Sequence, residues 1–170
     1  MDLYNYITNV PNFPKEGILF KDITPLWQDA HALQHTLKAL LHMVENQQID
    51  KVVGMESRGF ILGAAMALEL HAGFVPIRKP GKLPRKVHQQ GYALEYGTDV
   101  LEIHEDAIGP GDRVLVHDDV LATGGTANAV RQMVEALGGE IVQFNFLMEL
   151  QDLGGRKKLR HHTVRALLTY

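Results

Sequence analysis

The sequence predicts an α/β fold, an open and mostly parallel sheet with flanking helices. Two observations carry this. Short apolar runs at Lys51–Met55, Ala72–Ile77, Arg113–His117, Ile141–Met148 and Thr163–Thr169 alternate with stretches of helical period. The clearest junction between the two kinds of pattern, Val114 to Ala127, delivers two acids and a small-residue turn to one place.

The elements follow in order. Pro14, Gly17 and Pro25 punctuate the segment Phe13 to Leu26, which reads as an irregular, partly extended arm whose Ile18, Leu19 and Phe20 need a cover. Leu33, Leu37, Leu40, Leu41 and Val44 mark an amphipathic helix over about 30–46. After the strand Lys51–Met55, the stretch Gly59 to Leu70 is apolar on nearly every side, as a helix buried between layers would be. The strand Ala72–Ile77 leads into Arg78-Lys79-Pro80-Gly81-Lys82-Leu83-Pro84-Arg85-Lys86, five cations on a chain kept out of helix by proline and glycine. Tyr92 to Gly97 alternates aromatic and acidic residues ahead of Leu101-Glu102-Ile103, which suits the two strands of a flexible flap. Ala127, Val130, Met133, Val134 and Leu137 recur at helical spacing until Gly138-Gly139 stops them. Such an order implies parallel strands joined by helical crossovers.

Composition bounds the function. With 170 residues, 45% of them hydrophobic, the chain fits one compact domain. A domain of that length buries roughly 70% of its unfolded surface. The absence of cysteine excludes disulfides, thiolate metal sites and a catalytic thiol, and suits a reducing cytosol. No run approaches a membrane span and the first residues lack the pattern of a signal peptide, so a soluble cytoplasmic protein is expected. A net charge of −3 gives no general attraction to nucleic acid or anionic lipid. Anion binding must therefore be local.

The turn Thr123-Gly124-Gly125-Thr126 carries no bulky side chain, so backbone N–H groups at the positive end of the following helix can close on a phosphate. It has no lysine for a Walker loop, and the chain contains no G-x-G-x-x-G. Asp118 and Asp119 repel phosphate; they need hydroxyls, a cation, or positive charge developing in a reaction. A phosphorylated sugar offers all three. Open parallel sheets bind ligands beyond the carboxyl ends of their strands, and two other loops on that rim carry Arg58 and the five-cation run. A ligand with two phosphate groups accounts for all of them. Of nine histidines, His31 and His35 share a helix face without a third metal ligand, and His117 reads as a hydrogen-bonded core residue.

The string Asp118-Asp119-x-x-Ala122-Thr123-Gly124-Gly125-Thr126 resembles the phosphoribosyl-pyrophosphate signature of type I phosphoribosyltransferases. Phe13-Pro14-x-x-Gly17-Ile18-Leu19-Phe20-Lys21-Asp22-Ile23-Thr24-Pro25-Leu26 is similar to the hood of the adenine-specific members. Glu56 to Phe60, Arg78 to Pro84, Tyr92 to Gly97 and the Leu153-Gly154-Gly155-Arg156 turn extend the likeness. The resemblance implies a single domain over 1–170, with a hood over 1–28, a core over 29–170 and a flap at about 79–103. It implies transfer of a 5-phosphoribosyl group from phosphoribosyl pyrophosphate to adenine, giving AMP and pyrophosphate with Mg²⁺, usually in a homodimer. Two other readings are a transferase for another base and a non-catalytic phosphoribosyl-pyrophosphate sensor.

By the same resemblance, Ala122, Thr123, Gly124, Gly125 and Thr126 would hold the 5′-phosphate, with Asp118 and Asp119 beneath the anomeric carbon. Ser57, Arg58, Arg78, Lys79 and Lys82 would meet the pyrophosphate. Glu95 would accept adenine's proton and Tyr96 would serve the lid, while Leu19, Phe20 and Lys21 would contact the base. Mg²⁺ would ride mainly on the substrate, with Asp118 and Asp119 reaching it through water.

Overall fold

The computed structural model describes residues 1–44, 46–93 and 98–170. They pack as two units, Met1–Ala39 and Leu40–Tyr170. In the first, Asp2 caps a short 3-10 turn (Leu3–Tyr6) by accepting from the Tyr4 amide at 3.1 Å. Strand β1 (Thr8–Pro11) then pairs antiparallel with β2 (Leu19–Asp22), from Thr8 opposite Asp22 to Pro11 opposite Leu19. Asn12 Oδ1 accepts from the Gly17 amide at 3.0 Å and so closes the connection. Helix α1 (Thr24–Gln28) follows, with Pro25 in its first turn, and α2 (Ala30–His42) begins after it.

The arm is thus more regular than its punctuation suggests. Pro25 does not break a helix whose first turn it occupies, because the missing N–H there has no intrahelical partner to lose. Asp22 supports the start of α1 by accepting from the Thr24 amide at 2.9 Å. Ile23 and Leu26 are buried.

The second unit is built on a five-stranded sheet in the order β4-β3-β7-β8-β9. Its strands are β3 (Lys51–Met55), β4 (Gly73–Ile77), β7 (Arg113–Leu121), β8 (Glu140–Glu149) and β9 (Val164–Thr169), all paired in parallel. Helix α3 (Gly59–Glu69) joins β3 to β4, and α4 (Gly125–Ala136) joins β7 to β8. Val53, Val116, Met133, Phe144 and Phe146 are among the side chains buried in its core. The sheet is open and parallel, as the alternating pattern predicts.

Two connections are not helical crossovers. Between β4 and β7 the chain makes an antiparallel strand pair, β5 (Val87–Ala93) with β6 (Thr98–His104), where two strands are expected; residues 94–97 lie outside the described residues. Between β8 and β9 it makes 3-10 turns at Gln151–Leu153 and Gly155–Leu159. The largest shift from the sequence reading lies in β7, which runs four residues beyond His117 to Leu121. Pairing with β8 continues through Asp118 opposite Phe146, Val120 opposite Met148 and Leu121 opposite Glu149. The two acids therefore sit within a strand. Among the described residues, no helix is long and apolar enough to cross a membrane.

Candidate active site

Strand β7 brings the acids into place, and its register keeps them rigid. Asp119 is only 5% exposed, and Asp118 is half-buried beside it. Asp118 Oδ1 accepts from the Asp119 amide at 2.9 Å. Helix α3 starts directly against the pair: a Cβ on Gly59 would stand 2.9 Å from Asp118 Oδ1 and 3.1 Å from the His117 carbonyl oxygen. Only glycine lets that helix begin so close to the acids.

Arg58, the residue before α3, sets its Nε 2.9 Å from Asp119 Oδ2. The approach is an ion pair without a directed hydrogen bond, so charge rather than angle holds it. Burial pushes the Asp119 carboxyl up against the pull of Arg58. Burial also pushes Asp118 well above the ordinary carboxylate range, and the neighbouring Asp119 pushes the same way. A site that tolerates two adjacent buried acids is suited to a ligand that brings positive charge to them.

The turn after β7 has the form expected of an anion cradle. Gly124 stands at the N-cap of α4 with φ of 74°, a left-handed conformation that glycine adopts without strain. No side chain caps the helix, so its first N–H groups remain for an anion. Asp118 and the run from Ala122 to Thr126 line one recess there.

The five-cation run is anchored by two acids, Glu56 and Glu102. Glu56, at the end of β3, accepts from the Lys79 amide at 2.8 Å and from Arg78 Nε at 3.3 Å, and it pairs with Lys82 Nζ. Burial would raise the Glu56 carboxyl, but the hydrogen bonds from Lys82, Lys79 and Arg78 outweigh it and hold it below its usual range. Glu102, buried on β6, accepts from the Gly81 amide at 3.0 Å. The Glu56–Ser57 peptide is cis, and Ser57 is exposed on the same turn.

One cleft gathers six of the expected residues: Arg58, Lys79, Asp118, Asp119, Ala122 and Thr126 line it together. Gly124, Gly125 and Thr123 adjoin through the phosphate recess, and Arg78 and Lys82 stand on Glu56. Leu19, Phe20 and Lys21 lie together on β2 in the first unit. There Leu19 is exposed, Phe20 stacks edge-on against Phe13 at 5.0 Å, and Lys21 Nζ donates to Asn9 at 2.7 Å. Glu95 and Tyr96 lie outside the described residues.

Two polar lining residues escape the sequence reading, Glu56 and Tyr92. The signal for Glu56 was an acid at a strand end facing a basic loop, and an acid there is readable as the loop's counter-charge. Tyr92 comes from β5; its hydroxyl donates to Asp99 Oδ2 at 3.2 Å, and Lys79 Nζ stands 3.5 Å from that oxygen. Burial raises the Tyr92 hydroxyl above its usual value. His117 is the core residue expected: fully buried, its Nδ1 lies 3.0 Å from the Asn145 carbonyl oxygen. Among the described residues, no group of three or more His, Cys, Asp or Glu is placed to hold a metal.

A recess at the start of α4, a cationic loop on Glu56 and a buried acid pair, at the carboxyl ends of a parallel sheet, are the arrangement expected of a phosphoribosyltransferase. A family model described as phosphoribosyl transferase domain matches residues 29–168. The chain is 61% identical over 170 residues to the adenine phosphoribosyltransferase of Flavobacterium johnsoniae, covering 100% of both chains. It is 58% identical to that of Geobacter metallireducens, covering 99% of each. The crystal structure of adenine phosphoribosyltransferase from Rhodothermus marinus superposes with a TM-score of 0.95 at 54% identity, covering 99% of this chain and 96% of that one. The Saccharomyces cerevisiae enzyme, solved with an imino-altritol bisphosphate and adenine, gives 0.92 at 43% identity, covering 98% and 96%. The chain belongs to the adenine phosphoribosyltransferase family.

Proposed function

We infer that the protein transfers the 5-phosphoribosyl group from phosphoribosyl pyrophosphate to adenine, giving AMP and pyrophosphate, as a purine salvage enzyme. The cleft in which Arg58, Lys79, Asp118, Asp119, Ala122 and Thr126 meet carries this reading. Adenine as the base is supported by relatives of that name at 61% and 58% identity over nearly the whole chain.

The roles follow from the chemistry at each position. Amides and hydroxyls of Ala122 to Thr126 hold the 5′-phosphate at the start of α4. Asp118 and Asp119 hold the ribose hydroxyls and face the anomeric carbon, where breaking the bond to pyrophosphate oxygen leaves positive charge on the sugar. Fixed carboxylates stabilise that charge without having to reorganise. The bonding pair leaves with pyrophosphate, whose charge Arg58, Lys79, Arg78 and Lys82 meet, with Ser57 beside Arg58 on the turn. Adenine nitrogen then bonds the sugar carbon, and Glu95 takes its proton while Tyr96 serves the lid. Leu19, Phe20 and Lys21 contact the base, largely through backbone groups.

Mg²⁺ fits this donor set as an ion carried by the substrate: the carboxylate oxygens of Asp118 and Asp119 are hard ligands suited to it, directly or through retained water. Bound there, it would neutralise pyrophosphate charge. The reading includes one enzyme domain spanning 1–170, a homodimer as is common in the family, and a cytoplasmic location, which a chain without cysteines suits.

The test is an assay of pyrophosphate release from phosphoribosyl pyrophosphate and Mg²⁺ with each purine in turn. Turnover with adenine and little with hypoxanthine or guanine is expected; ligand binding without turnover would instead make the protein a sensor. Glu56→Gln removes the charge that gathers the basic loop. It should raise KM for phosphoribosyl pyrophosphate about three- to tenfold. An unchanged KM would show that the loop is organised without Glu56.

A further inference from the structure

The turn between β8 and β9 lies against the back of the phosphate recess, at van der Waals range between backbones. A Cβ on Gly155 would overlap the Ala122 carbonyl and stand 2.9 Å from the Gly124 nitrogen, and a Cβ on Gly124 would overlap the Gly155 carbonyl. The next residue, Arg156, grips Glu149. Its Nε donates to both carboxylate oxygens at 3.0 and 3.2 Å, its Nη2 donates to Oε2, and its Nη1 donates to the Val164 carbonyl at 2.7 Å. Glu149 is itself 4% exposed at the end of β8, paired with Leu121, which lines the recess and precedes Ala122. The Leu150 amide donates to the Leu121 carbonyl at 2.9 Å. Leu121, Glu149, Arg156 and Gly155 thus form a closed circuit around Ala122 to Gly124.

We propose that Arg156 is a positioning residue: by gripping Glu149 it presses Gly155 against Ala122 and Gly124 and fixes the direction of the N–H groups that receive the 5′-phosphate. The proposal rests on the reading of Ala122 to Thr126 as the phosphate cradle. The proposed role of Arg156 runs through Glu149, the Val164 carbonyl and the adjoining Gly155 backbone rather than through the substrate. Its effect is on the shape of the cradle. A buried carboxylate held by a planar fork defines a direction, which a lysine at the same place, a single point of charge on a flexible stem, does not.

Arg156→Lys keeps the charge and loses the fork. It should raise KM for phosphoribosyl pyrophosphate about tenfold and weaken ribose 5-phosphate binding by the same factor, leaving KM for adenine within about twofold. Gly155→Ala, which leaves the fork in place and crowds Ala122, should weaken ribose 5-phosphate in the same way. Thr126→Ala tests the cradle: if it leaves ribose 5-phosphate affinity unchanged, the cradle reading itself fails. If Thr126→Ala weakens binding while a folded Arg156→Lys binds ribose 5-phosphate as the parent does, the positioning role is overturned. The unaltered protein decides the matter even where a variant does not fold. By linkage, ribose 5-phosphate should slow amide exchange at Gly155 and Arg156 together with Gly124 and Gly125. Slowing confined to Gly124 and Gly125 overturns the proposal.

Discussion

Asp119→Asn should lower kcat by about 10²–10³-fold while changing ribose 5-phosphate affinity by less than about threefold, and Asp118→Asn should do the same. The substitution preserves shape and removes charge. Asn at 118 still offers an oxygen to the amide of residue 119, a hydrogen bond that ties the pair to the backbone of β7. What is lost, under the proposed function, is the negative charge facing the sugar carbon, and that charge matters most as the bond to pyrophosphate opens. Interactions stronger in the transition state than in the ground state appear in kcat rather than in affinity. Equal losses in kcat and in ribose 5-phosphate binding would make the two acids structural.

The second large effect is on stability. His117 is fully buried; burial, opposed by its contact with the Asn145 carbonyl, lowers its pKa to about 4 from 6.5. Above pH 6.5 the imidazole is neutral in both folded and unfolded chains and contributes no pH dependence. As pH falls from 6.5 toward 4 the unfolded chain takes up a proton that the folded chain refuses, so stability declines. Between pH 7 and pH 4 the loss is about 3 kcal/mol from this group alone. His117→Gln should abolish it. Asp118 and Asp119 titrate in both proteins, so comparing urea unfolding of the two at each pH isolates the histidine. Parallel stability curves would mean that His117 is solvated or protonated in the folded chain.

Much of the second unit is legible from local pattern. The run Lys51–Met55 is bounded by charged residues on both sides, and the strand has those same limits. The helix predicted from Ala127 onward starts two residues earlier, because Gly125 and Thr126 form its first turn. Reading β7 as ending at His117 failed for a physical reason: two acids look like a strand end, but hydrogen bonding to β8 carries the strand past them. The hairpin β1–β2 was equally hidden, since Thr8–Pro11 shows no alternation and holds a proline; its pairing comes from the partner strand.

The acids and the cradle were legible in the site because they are contiguous in sequence. Glu56 under the basic loop was not, because its meaning depends on Lys82, 26 residues away. Arg156 was likewise opaque: its partner Glu149 is seven residues away, but what they hold together is a third segment.

Under the proposed function, the pairing of Arg58 with Asp119 would make substrate binding an exchange reaction. An arginine engaged with a carboxylate has to be shared with, or surrendered to, an arriving pyrophosphate, so the affinity observed is the difference between two ion pairs rather than the strength of one. The apparent cost returns at the chemical step. Were Arg58 to turn its charge toward the diphosphate, Asp119 would lose its screen, and its full negative potential would become available when the sugar carbon turns positive. One cation would thus serve two anions in succession, trading grip on the substrate for field at the transition state.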